Sequence, residues 1–163
     1  NDILISPVSR EEIAISFLIA ILFIGIFVAT INLILISFFV EVHLFNLWRF
    51  IFYLSLSSIL FGSIGAIVGF ISYTWDVQQS IFNLVISPIS LLSGTFFSVD
   101  IVVENWQNVF LSNPFYHLVT NLRKSFYINQ SYNFYIDVLL MILVFIIVYI
   151  ALYVFKKGFR VIN

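Results

Sequence analysis

Residues 13–40 read IAISFLIAILFIGIFVATINLILISFFV, a run of 28 residues without one charged side chain. A helix of this length is about 42 Å long at 1.5 Å per residue, whereas the hydrocarbon core of a bilayer is roughly 30 Å thick. The run is therefore long enough to span a membrane as a single tilted helix.

The rest of the chain has the same character. Of 163 residues, 62% are hydrophobic and only 9% are charged. Soluble domains are roughly half apolar and one quarter charged, so this composition excludes a soluble core. A net charge of −1 offers no basic surface for nucleic acid. With no cysteine and two histidines, we expect no metal site.

Three further apolar runs cover residues 50–75, 81–99 and 134–155. Together with residues 13–40 they predict an all-α membrane protein, a polytopic helical bundle with about four transmembrane helices. Lys156, Lys157 and Arg160 follow the last run, and such basic clusters stay in the cytoplasm. Four spans then place both ends of the chain in the cytoplasm. Asp137 lies in the first turn of the last run, where we expect an interfacial acid.

The third run contains Pro88, which removes one backbone hydrogen bond and predicts a kinked span. The kink fits either ordinary packing or a gating role. In the second run, small residues recur along one helical face and favour close helix packing, within the chain or against a second subunit. These residues are Ser58, Gly62, Gly65 and Gly69.

Residues 100–127 predict a pair of short amphipathic helices outside the membrane. Asp100 is the expected N-cap of the first; Asn113 and Pro114 are the expected N-cap and first residue of the second. Asn121 is expected on the polar face of the second helix. Such a pair either anchors the chain at the membrane surface or gates a pathway.

Residues 86–100 (ISPISLLSGTFFSVD) and 105–127 (NWQNVFLSNPFYHLVTNLRKSFY) resemble the signature region of ABC-2 type permeases, the transmembrane subunits of ABC exporters. In that family a kinked fifth span leads through a small-residue and aromatic turn to two external helices and the sixth span. Relatives often carry leucine and proline soon after the turn, where this chain has Val102, Val103 and Glu104. The external gate residues that the resemblance implies are Pro88, Gly94, Phe96, Phe97, Asn113, Pro114, Tyr116, His117 and Arg123.

The opening segment, residues 1–12 (NDILISPVSREE), resembles the cytoplasmic coupling segment that contacts the ATPase subunit in that family. Without the resemblance it would be an ordinary solvated cap on a membrane helix. The coupling residues implied are Asp2, Ile3, Leu4, Pro7, Arg10, Glu11 and Glu12. Residues 1–163 would then be spans three to six of a permease domain, and we expect two further spans before residue 1.

The resemblance implies a bacterial inner-membrane permease that pairs with a second copy and with a separate ATP-binding cassette ATPase. It would export an amphipathic substrate such as a glycan, a lipid-linked sugar or a drug. The sequence holds no catalytic motif, so we expect no enzymatic activity and no cofactor bound by this chain.

Two alternatives remain open. One is a non-transporting membrane scaffold or assembly subunit. The other is an ion-coupled carrier or channel, which needs a polar line through the bilayer. The charge-free runs do not supply such a line, although Thr30, Asn32 and Asn83 are available.

Overall fold

A computed structural model describes residues 10–96, 99–128 and 130–157. These residues form helices and connecting turns, without a strand among them, so the all-α prediction is confirmed. The helices are α1 (Arg10–Ser37), α2 (Leu47–Ile71), α3 (Trp75–Ile81), a π-helical segment (Phe82–Ile86), α4 (Ser87–Leu91), a 3-10 turn (Val99–Ile101), α5 (Glu104–Leu111), α6 (Pro114–Lys124) and α7 (Phe134–Lys157).

Three helices, α1, α2 and α7, are long and apolar enough to cross a membrane. Helix α2 is central, since it packs against α1, α6 and α7. It begins at Leu47, before the predicted residue 50, because the Asn46 side chain accepts a hydrogen bond from the Arg49 amide at 3.1 Å. The buried core lies between α2, α6 and α7 and includes Tyr53, Leu60, Leu118 and Leu140.

Side-chain contacts define two ends of the bundle. The Phe155 ring near the end of α7 lies 6.3 Å from Phe17 in α1 and 4.8 Å from Phe70 in α2, between centroids. We call this the terminal end, because the first and last described residues are there. At the opposite end Arg49 in α2 contacts Asp137 in α7. We call it the loop end.

The third apolar run has different bounds from the predicted residues 81–99. It is helical from Trp75 to Leu91 in pieces of 7, 5 and 5 residues, together about 25 Å long. The run begins before the predicted residue 81 because Thr74 is its N-cap. The Thr74 side chain accepts a hydrogen bond from the Val77 amide at 3.4 Å. The run ends early because the chain turns at Gly94, whose φ of 74° is left-handed.

The irregularity predicted at Pro88 is present as a π-helical segment just before it. The Ser87 amide bonds to the carbonyl of Phe82, five residues earlier, rather than four as in an α-helix. Pro88 has no amide hydrogen to continue the four-residue pattern. The proline therefore interrupts the third run as the sequence indicated.

The first short helix, α5, begins at Glu104 rather than near Asp100. Residues Val99–Ile101 form a separate 3-10 turn, closed by a bond from the Val102 amide to the Val99 carbonyl at 3.0 Å. Val103 is the N-cap residue of α5, and its side chain makes no hydrogen bond to the first turn of the helix. The prediction of Asp100 as the N-cap is therefore wrong.

Candidate functional site: the loop end

Helix α6 lies at the loop end with one face in the core. The Asn113 side chain accepts a hydrogen bond from the Phe115 amide at 3.0 Å, and Pro114 opens the helix, so both predictions are confirmed. Phe115 and Leu118 are buried against the core of the bundle. Local sequence signals thus set where α6 begins and which face it buries.

Two side chains of α6 bind the backbone where the third run ends. The Asn113 amide nitrogen donates to the carbonyl of Ile89 at 2.8 Å, and the Arg123 guanidinium donates to the carbonyl of Gly94 at 3.0 Å. Carbonyls in the last turn of a helix have no partner within the helix, so Asn113 supplies the bond that α4 cannot. We call these two contacts the α6 clasp.

The other end of α6 is fixed to the start of α2. The carbonyl of Ser125 accepts hydrogen bonds from the amides of Phe45 and Asn46, both at 3.1 Å. The Phe50 and Phe126 rings meet edge to face with centroids 5.5 Å apart. Helix α6 therefore connects the beginning of α2 with the end of the proline-interrupted run.

A charged cluster joins the first turns of α2 and α7. The Arg49 guanidinium contacts one carboxylate oxygen of Asp137 at 2.6 Å, and the Tyr53 hydroxyl donates to the other. Arg49 also lies 4.4 Å from the centroid of the Tyr132 ring, which stacks on Tyr53. Burial raises the pKa of the Tyr132 hydroxyl above its ordinary value.

Sequence reasoning missed this cluster. Asp137 is 5% exposed and paired with Arg49, so it is buried within the bundle. It lies in the first turn of α7 as expected, and its position at the membrane interface stays a prediction. An available signal was that Arg49 and Asp137 each begin an apolar run, and the predicted topology brings both beginnings to the same side of the membrane.

The other predicted gate residues are scattered around the clasp. Pro88 and Phe96 are exposed, and Phe97 lies outside the described residues. The His117 ring nitrogen bonds to the carbonyl of Leu111 at 2.7 Å and ties α6 to α5, and the Tyr116 ring packs beside it.

Asn121, predicted on the polar face of α6, is buried instead. It follows Leu118 by three residues and therefore shares the face that packs on the core.

The small residues of α2 divide into two pairs. A Cβ atom added at Gly62 would lie 2.3 Å from the Ile21 side chain, and one added at Gly25 would lie 2.1 Å from the Ser58 hydroxyl oxygen. Ser58 and Gly62 thus lie against α1. A Cβ atom at Gly65 or Gly69 would meet nothing within 4 Å, so a subunit contact there stays a prediction.

The predicted coupling segment is only partly described. Asp2, Ile3, Leu4 and Pro7 lie outside the described residues. Arg10 and Glu11 begin α1, and Glu12 is exposed in its first turn at the terminal end. On α1, the Thr30 and Asn32 side chains bond to carbonyls of their own helix, both at 2.8 Å.

The sequence pattern of the ABC-2 type transporter family matches residues 1–127. The chain belongs to this family. Over 106 residues it is 30% identical to the inner membrane transport permease YadH of Escherichia coli strain K12, with the same figures for YadH of Escherichia coli O157:H7 and Shigella flexneri. The match covers 64% of this chain and 40% of each relative. The chain therefore spans less than half the length of these curated relatives.

No solved structure matches the chain. The prediction of an ABC-2 permease is confirmed by the family match. The three long apolar helices fit a multi-pass protein of the inner membrane, the location in the names of the relatives.

Proposed function

We propose that this chain forms spans three to six of a permease subunit that exports an amphipathic substrate, such as a glycan, a lipid-linked sugar or a drug. A separate ATP-binding cassette ATPase would drive it, and a second permease copy would complete the pathway. Family membership supports a transport permease. The α6 clasp carries the more specific part of the proposal.

The α6 clasp holds the end of the third apolar run, and in this proposal that run changes its position during transport. A regular membrane helix satisfies every backbone group internally, but the run from Trp75 to Leu91 is broken by a π-helical segment and Pro88. Its end depends on two side chains of α6. Because α6 also bonds to the start of α2, a tilt of α2 would be transmitted to the end of this run.

The distribution of charge supports an external source of energy. In α1, α2 and α7 the charged residues all lie within the first or last turns: Arg10, Glu11, Glu12, Arg49, Asp137, Lys156 and Lys157. An ion-coupled carrier needs an ionisable group within the membrane to bind its driving ion. A nucleotide-driven partner at the terminal end needs none.

Charge reversal tests the coupling assignment in the full-length protein. We expect Glu11→Lys with Glu12→Lys to reduce copurification of the ATPase several-fold, because an interface charge of the wrong sign repels its partner. Membrane insertion should be unchanged. Glu41→Lys is the matched control, since Glu41 is an exposed acid at the loop end. Equal copurification of all three proteins would contradict the assignment.

A further inference from the structure

An apolar cavity of about 400 Å³ lies between α1, α2 and α7 at the terminal end. Small residues from all three helices line it: Ala14, Gly62, Ala66, Gly69 and Ala151. Facing small residues usually let membrane helices approach closely. Here space remains between the helices, and a Cβ atom built on Gly69 would meet no atom within 4 Å.

Three phenylalanine rings bound the space. Phe155 contacts both Phe17 and Phe70, so aromatic rings from α7, α1 and α2 meet at the cavity wall. Phe17 is 48% exposed, which leaves that side of the cavity open to the surroundings of the bundle. Because α1 is long and apolar enough to cross a membrane, we expect this side of the cavity to face lipid.

A second cavity beside the first is lined in part by a basic side chain. This cavity of about 420 Å³ shares the lining residues Ala14, Leu152 and Phe155 with the first and is also lined by Lys156. The two cavities are therefore neighbours, and Lys156 lines the second. We call the two together the terminal slot.

We propose that the terminal slot binds one acyl chain of an anionic phospholipid, with the headgroup phosphate beside Lys156. The volume is within the range of small-molecule sites, roughly 300–1,000 Å³. Ordered water needs two or more polar partners, which an apolar lining does not supply. An empty slot would forfeit dispersion contacts on all its walls. A lysine at the membrane surface favours an anionic headgroup over a neutral one.

The proposal concerns lipid bound beside the helices and does not depend on the export function. It distinguishes the terminal slot from the general lipid-facing surface by two properties: selection for anionic lipid, and loss of lipid when Gly69 is enlarged.

A leucine at position 69 tests occupancy. In the detergent-purified full-length protein, native mass spectrometry should detect retained phosphatidylglycerol in the wild type and about fivefold less in Gly69→Leu, because the leucine side chain would occupy space that the acyl chain needs. Gly65→Leu is the matched control: position 65 is on the same helix, is equally open and does not line the slot. Equal retention in both variants would overturn the proposal.

A photo-crosslinker keeps the test independent of how the variant folds. We would place p-benzoylphenylalanine at Phe17, in the slot, or at Phe23, which is 71% exposed and lies outside it. In vesicles of equal phosphatidylglycerol and phosphatidylcholine, adducts at position 17 should be enriched about fivefold in phosphatidylglycerol. Adducts at position 23 should match the vesicle composition.

The headgroup assignment predicts that Lys156→Gln abolishes the enrichment at position 17 and that Lys156→Arg keeps it. Equal adducts of both lipids at position 17 would overturn the proposal. So would a crosslink at position 17 to another permease copy or to a preceding span of the same protein, since either would mean that protein fills the slot.

Discussion

Arg49 and Asp137 are unequally buried, so substituting one of them should destabilise the protein more than substituting the other. The Asp137 side chain is 8% exposed, whereas Arg49 is 37% exposed. Removing one partner of a buried ion pair leaves the other charge without compensation, at a cost of about 3–5 kcal/mol. A partly exposed guanidinium can still reach water, but a buried carboxylate cannot.

We therefore predict that Arg49→Met destabilises the protein by about 3 kcal/mol. Asp137→Asn should cost about 1 kcal/mol, because the amide is neutral and its oxygen can still accept from Tyr53. We would rank the two variants by the midpoint temperature of unfolding in detergent, with the remaining folded protein measured by size-exclusion chromatography.

The control is the exposed pair formed by His43 and Glu41, 3.8 Å apart with side chains 70% and 95% exposed. Glu41→Gln should leave the midpoint unchanged, because exposed ion pairs contribute little. A larger loss for Asp137→Asn than for Arg49→Met would contradict the assigned asymmetry.

Among the elements, α6 was predictable and the third run only in part. Asn113 and Pro114 act on the residues next to them, so the sequence alone indicates the start of α6. Asp100 failed as a cap because it lies within a 3-10 turn that begins at Val99, and the following helix starts only at Glu104. Residues 92–96 carry no charge, so the length of the charge-free run does not show where the helix ends, and hydropathy does not detect the left-handed turn at Gly94.

The contacts of α6 could not be predicted. Asn113 lies 24 residues from Ile89, and Arg123 lies 29 residues from Gly94. Both acceptors are backbone carbonyls, which exist at every position and carry no sequence signal. The family resemblance identified Asn113 and Arg123 but not what they bind.

The two roles of Asn113 can be separated by substitution. Asn113→Asp keeps the oxygen that caps α6 and loses the donor to Ile89, whereas Asn113→Ala loses both. We predict that the Asn113→Asp variant exchanges the backbone amide hydrogens of residues 89–94 about fivefold faster than the wild type. This increase corresponds to the loss of one hydrogen bond of about 1 kcal/mol. Exchange in α6 should rise only in the Ala variant.

Ser112→Ala is the control for this experiment, because the Ser112 hydroxyl bonds only to Asn108 within its own helix in the described structure. Its exchange pattern should match the wild type. If Asn113→Asp left residues 89–94 as protected as before, the clasp would not be what holds the end of the run.

On the scale of the molecule, composition and charge-free length predicted a helical membrane bundle. The described residues include three helices long and apolar enough to cross a membrane, so four passes with both ends in the cytoplasm stay a prediction. The terminal slot could not be predicted in this way. It depends on how far three helices stand apart, and small-residue patterns indicate only that close approach is possible.

Which end faces the cytoplasm is a separate prediction, and it rests on Lys156, Lys157 and Arg160. The chain has no cysteine, so single cysteines can report it. In intact cells, a membrane-impermeant maleimide should label cysteines at exposed positions 43 and 131 at the loop end.

A cysteine at Asp76, just beyond the end of α2, should react only after the cells are permeabilised. The opposite pattern would leave every contact within the bundle unchanged. It would, however, place the α6 clasp in the cytoplasm and the terminal slot in the outer leaflet. An ATPase could then not reach Glu11 and Glu12, so this labelling pattern tests the coupling assignment as directly as copurification does.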